Sequence, residues 1–502
     1  MRGIPSIISD VRKMVFTEVA KMAYKGSYEG MEDLPYVIVP GDSPLRRESI
    51  FLERAIAGER VRAAMGLSMS PIQRRSLLED GMSEAAIAKQ YYEAPLINII
   101  PYACHSCPEN QYRVTEYCQN CLATSCQQVC PVGAISFENG RSYIHRSKCI
   151  RCGKCAEVCP YHAIVHLERP CQKVCGMDAI QMGDNGKMTI NQDMCVSCGQ
   201  CLVSCPFGAI VDKSQIYQVV QSILRGDQVF AIVAPAFAGQ FGKNVSAEQI
   251  RKAMKMLGFQ RVVEVAIGAD MCTVEEAEDF LKKVPAEQPF MATSCCPAWH
   301  AMVHKLFPEL AGNISMALTP MVFTARLQKK MYPNCKVVFV GPCAAKKLEA
   351  MRADIRSDVD FVLTFEELHA MFEAKEIDVA KVEPDVKAMN RGSGAGRGFA
   401  VSGGVARAVA DLIHETQPDL EVKTANAEGL QECRKLMMLA KAGKYNGYLL
   451  EGMGCPGGCI AGAGTVLPVN QAKKLVQSYQ SIAPFDSPTQ SEFKHMVAEL
   501  EI

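Results

Sequence analysis

Three short segments in the C-terminal half combine cysteine with glycine, proline and other small residues. They read TSCCPAW over Thr293–Trp299, GPCAAKKLE over Gly341–Glu349 and EGMGCPGGC over Glu451–Cys459. Backbone of this composition can approach a bulky ligand closely and present its N–H groups to it. Because loops far apart in the sequence supply the thiols, a buried cluster site is favoured over disulfides. The five cysteines are one more than four cluster ligands, which indicates chemistry beyond electron storage.

Composition excludes several classes of function. Across 502 residues, 54 Lys and Arg balance 54 Asp and Glu, so charge favours neither nucleic acid nor an anionic membrane surface. Apolar runs such as 229–236 are too short to span a bilayer. Residues 1–6 begin neither an apolar signal region nor a twin-arginine motif, so we expect no export signal and a cytoplasmic location. In that reducing compartment, metal ligation explains the 24 cysteines better than disulfides do.

The first hundred residues read as a helical region. Residues 1–100 contain no cysteine and show helical periodicity over Ile8–Ala23 and Ser83–Tyr92. Within them, Tyr36–Asp42 predicts a short strand or extended stretch that ends in a turn. We therefore expect a helical cap or docking segment here.

Beyond residue 100 the chain divides by cysteine density. Residues 104–205 hold sixteen of the 24 cysteines, so residues 101–212 are expected to form a separate metal-binding domain. Residues 213–485 alternate short apolar runs with amphipathic stretches, which predicts a multi-domain α/β protein with mostly parallel strands, followed by a C-terminal tail over 486–502. Glycine-rich Arg391–Gly398 lacks the preceding strand and the spacing of a nucleotide-binding loop, so we predict a flexible loop and no NAD or flavin site. Alternating strands and helices are predicted at Val229–Ala234, Ala247–Leu257, Val262–Ala266, Val274–Lys283 and Val337–Val340.

Two stretches carry the complete cysteine motif of bacterial ferredoxins. They are Cys149-x2-Cys152-x2-Cys155-x3-Cys159-Pro and Cys195-x2-Cys198-x2-Cys201-x3-Cys205-Pro. In this motif three closely spaced cysteines hold one [4Fe–4S] cluster and the fourth ligates the neighbouring cluster. The third cysteine and the trailing proline argue against zinc, the alternative for paired cysteines. Residues 101–212 are therefore expected to adopt a ferredoxin-like α+β fold.

The remaining eight cysteines of this region fit two further motifs. One is a looser copy of the ferredoxin motif, made of Cys118, Cys121, Cys126 and Cys130. The other is complete only when two distant pairs are combined across an inserted two-cluster module, Cys104/Cys107 and Cys171/Cys175. This layout resembles the four-cluster iron–sulfur subunits of molybdopterin oxidoreductases, with the motif order rearranged. Exchange of the fourth ligand then predicts four sets: Cys118, Cys121, Cys126 with Cys159; Cys149, Cys152, Cys155 with Cys130; Cys195, Cys198, Cys201 with Cys175; and Cys104, Cys107, Cys171 with Cys205.

The three C-terminal segments resemble, in order, the three H-cluster signatures of the [FeFe]-hydrogenases. The resemblance implies a two-lobed α/β H-cluster domain over residues 213–485. It also implies an H-cluster, in which a [4Fe–4S] cluster is bridged to a diiron unit that carries CO, CN⁻ and a dithiolate amine. The four cysteine ligands would be Cys296, Cys343, Cys455 and Cys459, with Cys459 as the bridge.

The same resemblance assigns neighbours to the diiron unit. Lys346 would direct its ammonium at a cyanide, a contact that a buried anionic ligand makes favourable, although a lysine beside Lys347 is otherwise a surface residue. Met453 would supply soft sulfur or, alternatively, belong simply to the core. Four further positions are assigned to the surroundings of the unit: Pro235 and Ala236 in a cyanide-contacting loop, Met321 in place of a glutamine, and Gly341 in place of a methionine. With Ala298, these departures resemble the branch often called group B.

The fifth cysteine implies a proton route. Cys295 would pass protons to the bridging amine, because a thiol with an ordinary pKa near 8.5 is mostly protonated at neutral pH. The alternative is a small buried hydrophobe. Farther along the route the resemblance assigns Glu276, Asp279, Ser315 and Lys283. Asp279 and Lys283 replace the family's glutamate and arginine, and the plain alternative is a solvated acidic helix with an Asp279–Lys283 pair.

The function implied by these residues is reversible hydrogen activation, 2 H⁺ + 2 e⁻ ⇌ H₂. About four accessory [4Fe–4S] clusters would exchange electrons with ferredoxin or flavodoxin, since no nucleotide site is predicted. Diiron-site maturation proteins are implied as further partners, whereas nucleic acid and membrane are not. A hydrogen sensor with low turnover and an iron–sulfur assembly factor are the competing hypotheses.

Overall fold

The computed structural model describes residues 3–71, 73–85, 94–353, 355, 358–386 and 391–500. Its first part contains four helices, Ile7–Tyr24, Leu34–Ile38, Ile50–Ala64 and Met82–Ala85. The helix predicted at Ile8–Ala23 is confirmed, and a reciprocal capping box between Ser6 and Ser9 begins it. Of the helix predicted at Ser83–Tyr92, the first residues are helical and 86–92 lie outside the described residues.

The prediction of an extended stretch at Tyr36–Asp42 is wrong. Residues Leu34–Ile38 form a short helix with Pro35 in its first turn, where the fixed φ of proline suits a helix and its missing N–H costs nothing. The chain leaves the helix at Val39, because the residue before a proline is disfavoured in the helical conformation.

Nested antiparallel strand pairs organise the cysteine-rich region. The outermost pair joins Ile97–Ile99 to Ile210–Asp212, and inside it Gln111–Val114 pairs with Ile164–Leu167. The second pair closes residues 111–167 on themselves, as expected for a module inserted between Cys107 and Cys171. Two hairpins and four short helices complete the region: Ile135–Glu138 with Arg141–Ile144, Ile180–Met182 with Met188–Ile190, and helices Ser125–Gln128, Lys154–Glu157, Pro170–Lys173 and Gln200–Ser204.

The rest of the chain is α/β, as predicted, and contains two parallel sheets. The first has strand order Arg261–Glu264, Val229–Val233, Lys336–Gly341, Phe361–Thr364, and the second Met291–Ala292, Tyr448–Met453, Lys423–Glu428. Every neighbouring pair in both sheets is parallel, because helices connect the strands. The helices are Ile216–Leu224, Ala247–Met256, Ala266–Lys283, Pro297–Leu306, Pro320–Met331, Ala345–Glu349, Phe365–Ala374, Gly394–Gly398, Gly404–Thr416, Leu430–Lys441, Val469–Ser481 and Val497–Leu500. None of the helices in the described part of the chain has the length and apolar character needed to cross a membrane.

The prediction of a flexible loop at Arg391–Gly398 is also wrong. Ser393 begins the helix Gly394–Gly398, and the segment packs on the helix Ala266–Lys283. A Cβ atom at Gly396 would lie 2.5 Å from Asp270 Oδ1, so glycine is required here for close packing. Arg397 is fully buried and its Nε lies 3.1 Å from Glu264 Oε2. The glycines therefore allow two helices to approach each other.

A buried cluster of charges joins the three parts of the chain. Lys347 is fully buried, and its Nζ lies 3.1 Å from Asp212 Oδ2 and 2.8 Å from Glu367 Oε1. Arg12 in the first helix lies 3.2 Å from Asp212 Oδ1 and 2.8 Å from Glu366 Oε2. Asp212 ends the outermost strand pair of the cysteine-rich region, so it binds cations from both flanking regions. Lys347 is thus not a surface residue.

Candidate metal centre

The three cysteine segments meet at the carboxyl ends of parallel strands. Cys296 lies directly before the helix Pro297–Leu306, while Cys343 and Cys455 each follow the last residue of a strand by two positions. Cys459 begins a short 3-10 turn. Strands of both parallel sheets end at one cavity, so segments more than 150 residues apart in sequence reach it. That cavity is mostly apolar.

Five cysteines line this cavity. They are the four predicted ligands Cys296, Cys343, Cys455 and Cys459, and the additional thiol Cys295. Burial raises the pKa of Cys343 to about 12 and the pKa of Cys459 well above its ordinary value, and in both cases the neighbouring cysteines raise it further. Four thiolates so close in an apolar cavity need cations to balance their charge. Among the described residues no group of Cys, His, Asp or Glu is arranged to hold a single metal ion. Four thiol donors in one cavity fit a polynuclear iron–sulfur cluster.

Glycines shape the backbone around the cysteines. Gly454 donates its N–H to Cys296 Sγ at 3.4 Å. Gly458 has φ 87°, and a Cβ there would lie 2.5 Å from the backbone nitrogen of Ser402. A larger residue at position 458 would be both strained and obstructed, so the segment that presents Cys459 requires glycine.

Lys346 points into the same cavity from the side of Cys295. Its ammonium lies 2.6 Å from Glu349 Oε2 and donates to the carbonyl oxygen of Cys295 and to Thr319 Oγ1, each at 3.3 Å. Burial alone would lower the pKa of Lys346, but the charge and hydrogen bond of Glu349 outweigh it and raise the pKa. A protonated lysine is therefore held at the cavity wall, where it suits an anionic group.

Most of the other predicted neighbours line the cavity, and one does not. Pro235, Ala236, Met321 and Met453 all belong to the wall. Gly341 lies behind it, because a Cβ at this position would come 2.4 Å from the ring of Phe339, which occupies the wall itself. Phe339 was not selected from the sequence, although residues two apart on a strand share a face. An aromatic ring thus fills space next to the position where the family's methionine was expected.

Cys295 lines the cavity, whereas Glu276 does not line it but lies close enough to Cys295 to raise the pKa of its thiol. Glu276 is fully buried, and its Oε1 accepts the backbone N–H of Ser294 at 2.9 Å and the hydroxyl of Ser294 at 3.3 Å. Its Oε2 is buried and has no hydrogen-bond partner among the described residues. Burial raises the pKa of Glu276 to about 7, with Glu451 and Asp279 raising it further against the hydrogen bonds from Ser294. Burial likewise raises the pKa of the Cys295 thiol, so that the thiol keeps its proton at neutral pH.

The outer residues of the predicted proton route are arranged differently from the inner pair. Lys283 Nζ lies 2.7 Å from Asp279 Oδ2, and both side chains are partly exposed. Ser315 is buried and accepts the backbone N–H of Ala317 at 3.1 Å. The hydroxyl bonded to Glu276 belongs instead to Ser294, which the sequence reasoning missed although it directly precedes Cys295 in the first signature. The proton-route roles of Asp279, Lys283 and Ser315 stay predictions.

Three of the four predicted relay sets are brought together in space. Cys104, Cys107, Cys171 and Cys205 line one cavity, and Cys130, Cys149, Cys152 and Cys155 line another. In a third group, Cys175 lies close enough to Cys195, Cys198 and Cys201 to raise the pKa of their thiols. In the remaining set, Ser142 joins two members, since its N–H donates to Cys118 Sγ at 3.4 Å and its hydroxyl lies 3.6 Å from Cys126 Sγ. For Cys121 and Cys159, membership of this set stays a prediction.

Comparison with known proteins agrees with this geometry. Residues 227–463 match the family described as iron only hydrogenase large subunit, C-terminal domain. Residues 142–165 match a 4Fe-4S binding domain, and residues 166–216 match the LdpA Fe-S cluster-binding domain. All three matches coincide with the cysteine groups described above.

Three relatives show how far the likeness extends. The chain is 30% identical to the periplasmic [Fe] hydrogenase large subunit of Nitratidesulfovibrio vulgaris over 64% of this chain and 85% of that protein. It is 29% identical to iron hydrogenase 1 of Clostridium pasteurianum over 78% of each. A cytosolic Fe-S cluster assembly factor of Danio rerio is 26% identical over 52% of this chain and 76% of that protein. Among solved structures, an apo [FeFe]-hydrogenase of Chlamydomonas reinhardtii aligns with a TM-score of 0.48 and 22% identity, over 56% of this chain and 94% of that one.

Proposed function

The chain belongs to the iron-only, or [FeFe], hydrogenase family, and on that premise we propose that it reversibly converts protons and electrons to H₂ at an H-cluster. The observation that carries the proposal is the convergence of five cysteines and a buried lysine on one cavity. Cys296, Cys343, Cys455 and Cys459 would hold the cluster, and Cys459 would bridge to the diiron unit. When bound, this group would supply the iron centre, and it would give up two electrons when H₂ forms and take up two when H₂ is split.

The protein's own residues would supply the proton and the environment. Cys295 holds its proton because burial raises its pKa, and it lies in the cavity wall. Glu276 has a pKa of about 7 and lies near Cys295, so at neutral pH it can accept or return a proton there. Lys346 keeps a positive charge where an anionic ligand would bind. Phe339, Met321 and Met453 add apolar side chains to the same wall.

Two competing functions use parts of the same site. A hydrogen sensor would bind H₂ with low turnover, and it has no need of an efficient proton donor. An assembly factor, a function carried by one of the relatives, has no need of a buried acid beside a buried thiol. The pairing of Cys295 with Glu276 supports turnover over both alternatives.

Hydrogen evolution is the direct test of this function. After maturation of the diiron unit, the protein should evolve H₂ from reduced ferredoxin, measured by gas chromatography. Infrared bands from CO and CN⁻ would show independently that the diiron unit is loaded. Normal bands without measurable turnover would contradict the enzymatic function and favour the sensor.

We also propose that the relay holds four [4Fe–4S] clusters. Iron analysis of anaerobically purified protein should then assign about sixteen irons to the relay, four for each set. Because Cys104 and Cys171 are placed in one set, Cys104→Ala and Cys171→Ala should lose the same cluster signal in electron paramagnetic resonance. Cys335→Ala, at a buried cysteine outside all the sets, should lose none. A relay content of about eight irons would contradict the split motif.

The charge around the outer relay sets supports an acidic electron carrier as partner. Residues 113–161 expose six cations, Arg113, Arg141, Arg146, Lys148, Arg151 and Lys154, against three exposed carboxylates, Glu116, Glu138 and Glu157. This contrasts with the balanced charge of the whole chain. Val132 and Ile150 line the cavity of the Cys149 set and are 41% and 59% exposed, beside the exposed Cys152. An acidic ferredoxin or flavodoxin would dock here by charge and apolar contact.

Varying the salt concentration should distinguish docking of the electron carrier from hydrogen formation at the catalytic site. As ionic strength rises, the initial rate of H₂ evolution from reduced ferredoxin should fall, because charges across the interface are screened. The rate with a small reductant such as methyl viologen should change little. Arg151→Glu should weaken only the ferredoxin-driven reaction, whereas Lys381→Glu, at an exposed lysine outside this region, should not. Equal effects of both variants would contradict docking at residues 113–161.

We likewise propose four parts of the chain: a helical cap over residues 1–100, a relay over 101–212, a catalytic domain over 213–485 and a tail over 486–502. The cap would hold the relay against the catalytic region, because Arg12 in its first helix and Lys347 in the catalytic region both form ion pairs with Asp212. A cytoplasmic location stays a prediction, since one relative is described as periplasmic.

A further inference from the structure

One residue of a relay motif donates a hydrogen bond to a cysteine of the catalytic cavity. Gln200 begins the short helix Gln200–Ser204, between Cys198 and Cys201. Its place in the chain therefore attaches it to the relay set of Cys195, Cys198 and Cys201. Its side-chain Nε2 donates to Cys455 Sγ at 3.1 Å. Cys198 belongs to a relay set, whereas Cys455 lines the catalytic cavity, so this side chain spans the junction between them.

The surrounding packing fixes Gln200 in this position. The preceding residue, Gly199, has φ 74°, and a Cβ there would lie 2.5 Å from the Cβ of Ala463 in the catalytic region. From the other side, Lys305 donates to the carbonyl oxygens of Asp193 and Cys195 at 2.5 and 2.9 Å. The segment that carries Gln200 is therefore held against the cavity by direct contacts on both sides.

The chemistry of such a contact is specific. A hydrogen bond to a cysteine sulfur withdraws electron density from the iron it ligates, which stabilises the reduced cluster. The neutral amide of glutamine can donate this bond without a charge of its own and independently of pH. A carboxylate at the same position could not donate it.

We propose that Gln200 is a positioning residue that raises the reduction potential of the cluster ligated by Cys455. It thereby favours electron transfer from the relay set of Cys198 into the catalytic cavity. The inference rests on the proposed function, since it requires a cluster in that cavity. It goes further by naming the residue through which the relay and the catalytic site are coupled.

Gln200→Leu tests the proposal, because it removes the N–H donor and keeps a side chain of similar size. The measurement is an infrared-monitored redox titration of the full-length matured protein, in which the CO and CN⁻ bands report only on the catalytic cavity. We expect the midpoint potential in the variant to move to more negative values. A tenfold lower ratio of reduced to oxidised cluster at a fixed potential corresponds to about 59 mV for a one-electron couple.

Two further variants distinguish a direct effect on the reduction potential from a weaker contact between the relay and the catalytic region. Gln431→Leu removes another hydrogen bond between the two regions, from Gln431 Nε2 to the carbonyl oxygen of Lys173 at 2.7 Å, at a residue that does not line the catalytic cavity. It should leave the potential unchanged. Gln200→Glu should shift the potential at least as far as Gln200→Leu, and it serves if the leucine variant does not assemble.

The outcomes are distinguishable. Unchanged potentials in both Gln200 variants, or an equal shift in Gln431→Leu, would overturn the inference while leaving the proposed function intact. Absence of CO and CN⁻ bands from the wild-type protein would instead count against the proposed function.

Discussion

Cys295→Ala is expected to reduce hydrogen turnover by a factor of about 10² to 10⁴, the usual contribution of a positioned proton donor. The thiol lies in the cavity wall, and no carboxylate or imidazole lines the cavity in the described part of the chain. Glu276 is held behind it by Ser294, so it cannot replace the thiol without moving. Rates of H₂ evolution and H₂ oxidation should fall together, because both directions require the same proton transfer.

The site itself should survive this substitution, which makes the loss of rate interpretable. Cys295 is not among the four proposed ligands, so the CO and CN⁻ bands should stay close to those of the wild-type protein. Cys335→Ala removes another buried thiol, one that does not line the cavity, and should retain full activity. Cys295→Ser tests the chemistry at nearly constant volume, and its rate should stay low because a hydroxyl is a much weaker acid than a thiol. Wild-type turnover in Cys295→Ala would refute the assigned role.

Proton delivery to Cys295 should also depend on pH through Glu276. Below its pKa of about 7 this carboxyl holds a proton, and above it the carboxylate can only accept one. Its folded-state pKa is higher than its ordinary value because burial disfavours the charge. Its contribution to stability therefore decreases as pH rises from about 4.5 towards 7. The residue is thus retained at a cost in stability above that range, as is common for groups that take part in chemistry.

The sequence predicts best where the chemistry of the ligand imposes a spacing. Each of the four proposed cavity ligands lies in a short signature at the end of a strand or the start of a helix, so local pattern and tertiary position agree. The cysteine sets of the relay follow the same logic, because the ligand exchange of ferredoxin motifs restricts which cysteines can meet. In these cases the spacing of the cysteines is sufficient to predict which of them lie together in the fold.

Sequence reasoning fails where packing alone decides the outcome. The substitution at Gly341 is visible in the sequence, but the ring of Phe339 that fills the space can be identified only once strand facing is known. The glycines of Arg391–Gly398 suggest flexibility, yet they serve close contact between two helices. Lys347 follows Lys346 in an apparently solvated pair, and only tertiary structure shows that it is more deeply buried than its neighbour. Such features depend on residues far away in the chain, which no local pattern reports.

Lys347→Met should lower the free energy of unfolding by about 3–5 kcal/mol, the usual result of removing one partner from a buried ion pair. Burial alone would lower the pKa of Lys347, but Asp212 and Glu367 outweigh this effect and raise it. The variant leaves the Glu367 carboxylate fully buried without that cation, while Asp212 keeps Arg12. Because Asp212 belongs to the relay and Glu367 to the catalytic region, the loss should also weaken the contact between them.

Chemical denaturation of the cluster-loaded protein under anaerobic conditions measures this effect, and the design separates charge from volume. Lys381→Met, at an exposed ion pair with Asp378, should leave the unfolding midpoint near the wild-type value. Adding Glu367→Gln to Lys347→Met removes the stranded charge and should recover part of the lost stability, because glutamine still serves the capping box with Thr364. If the double variant were as unstable as the sum of its parts, the loss would reflect packing, and the buried charges would not hold the three parts of the chain together.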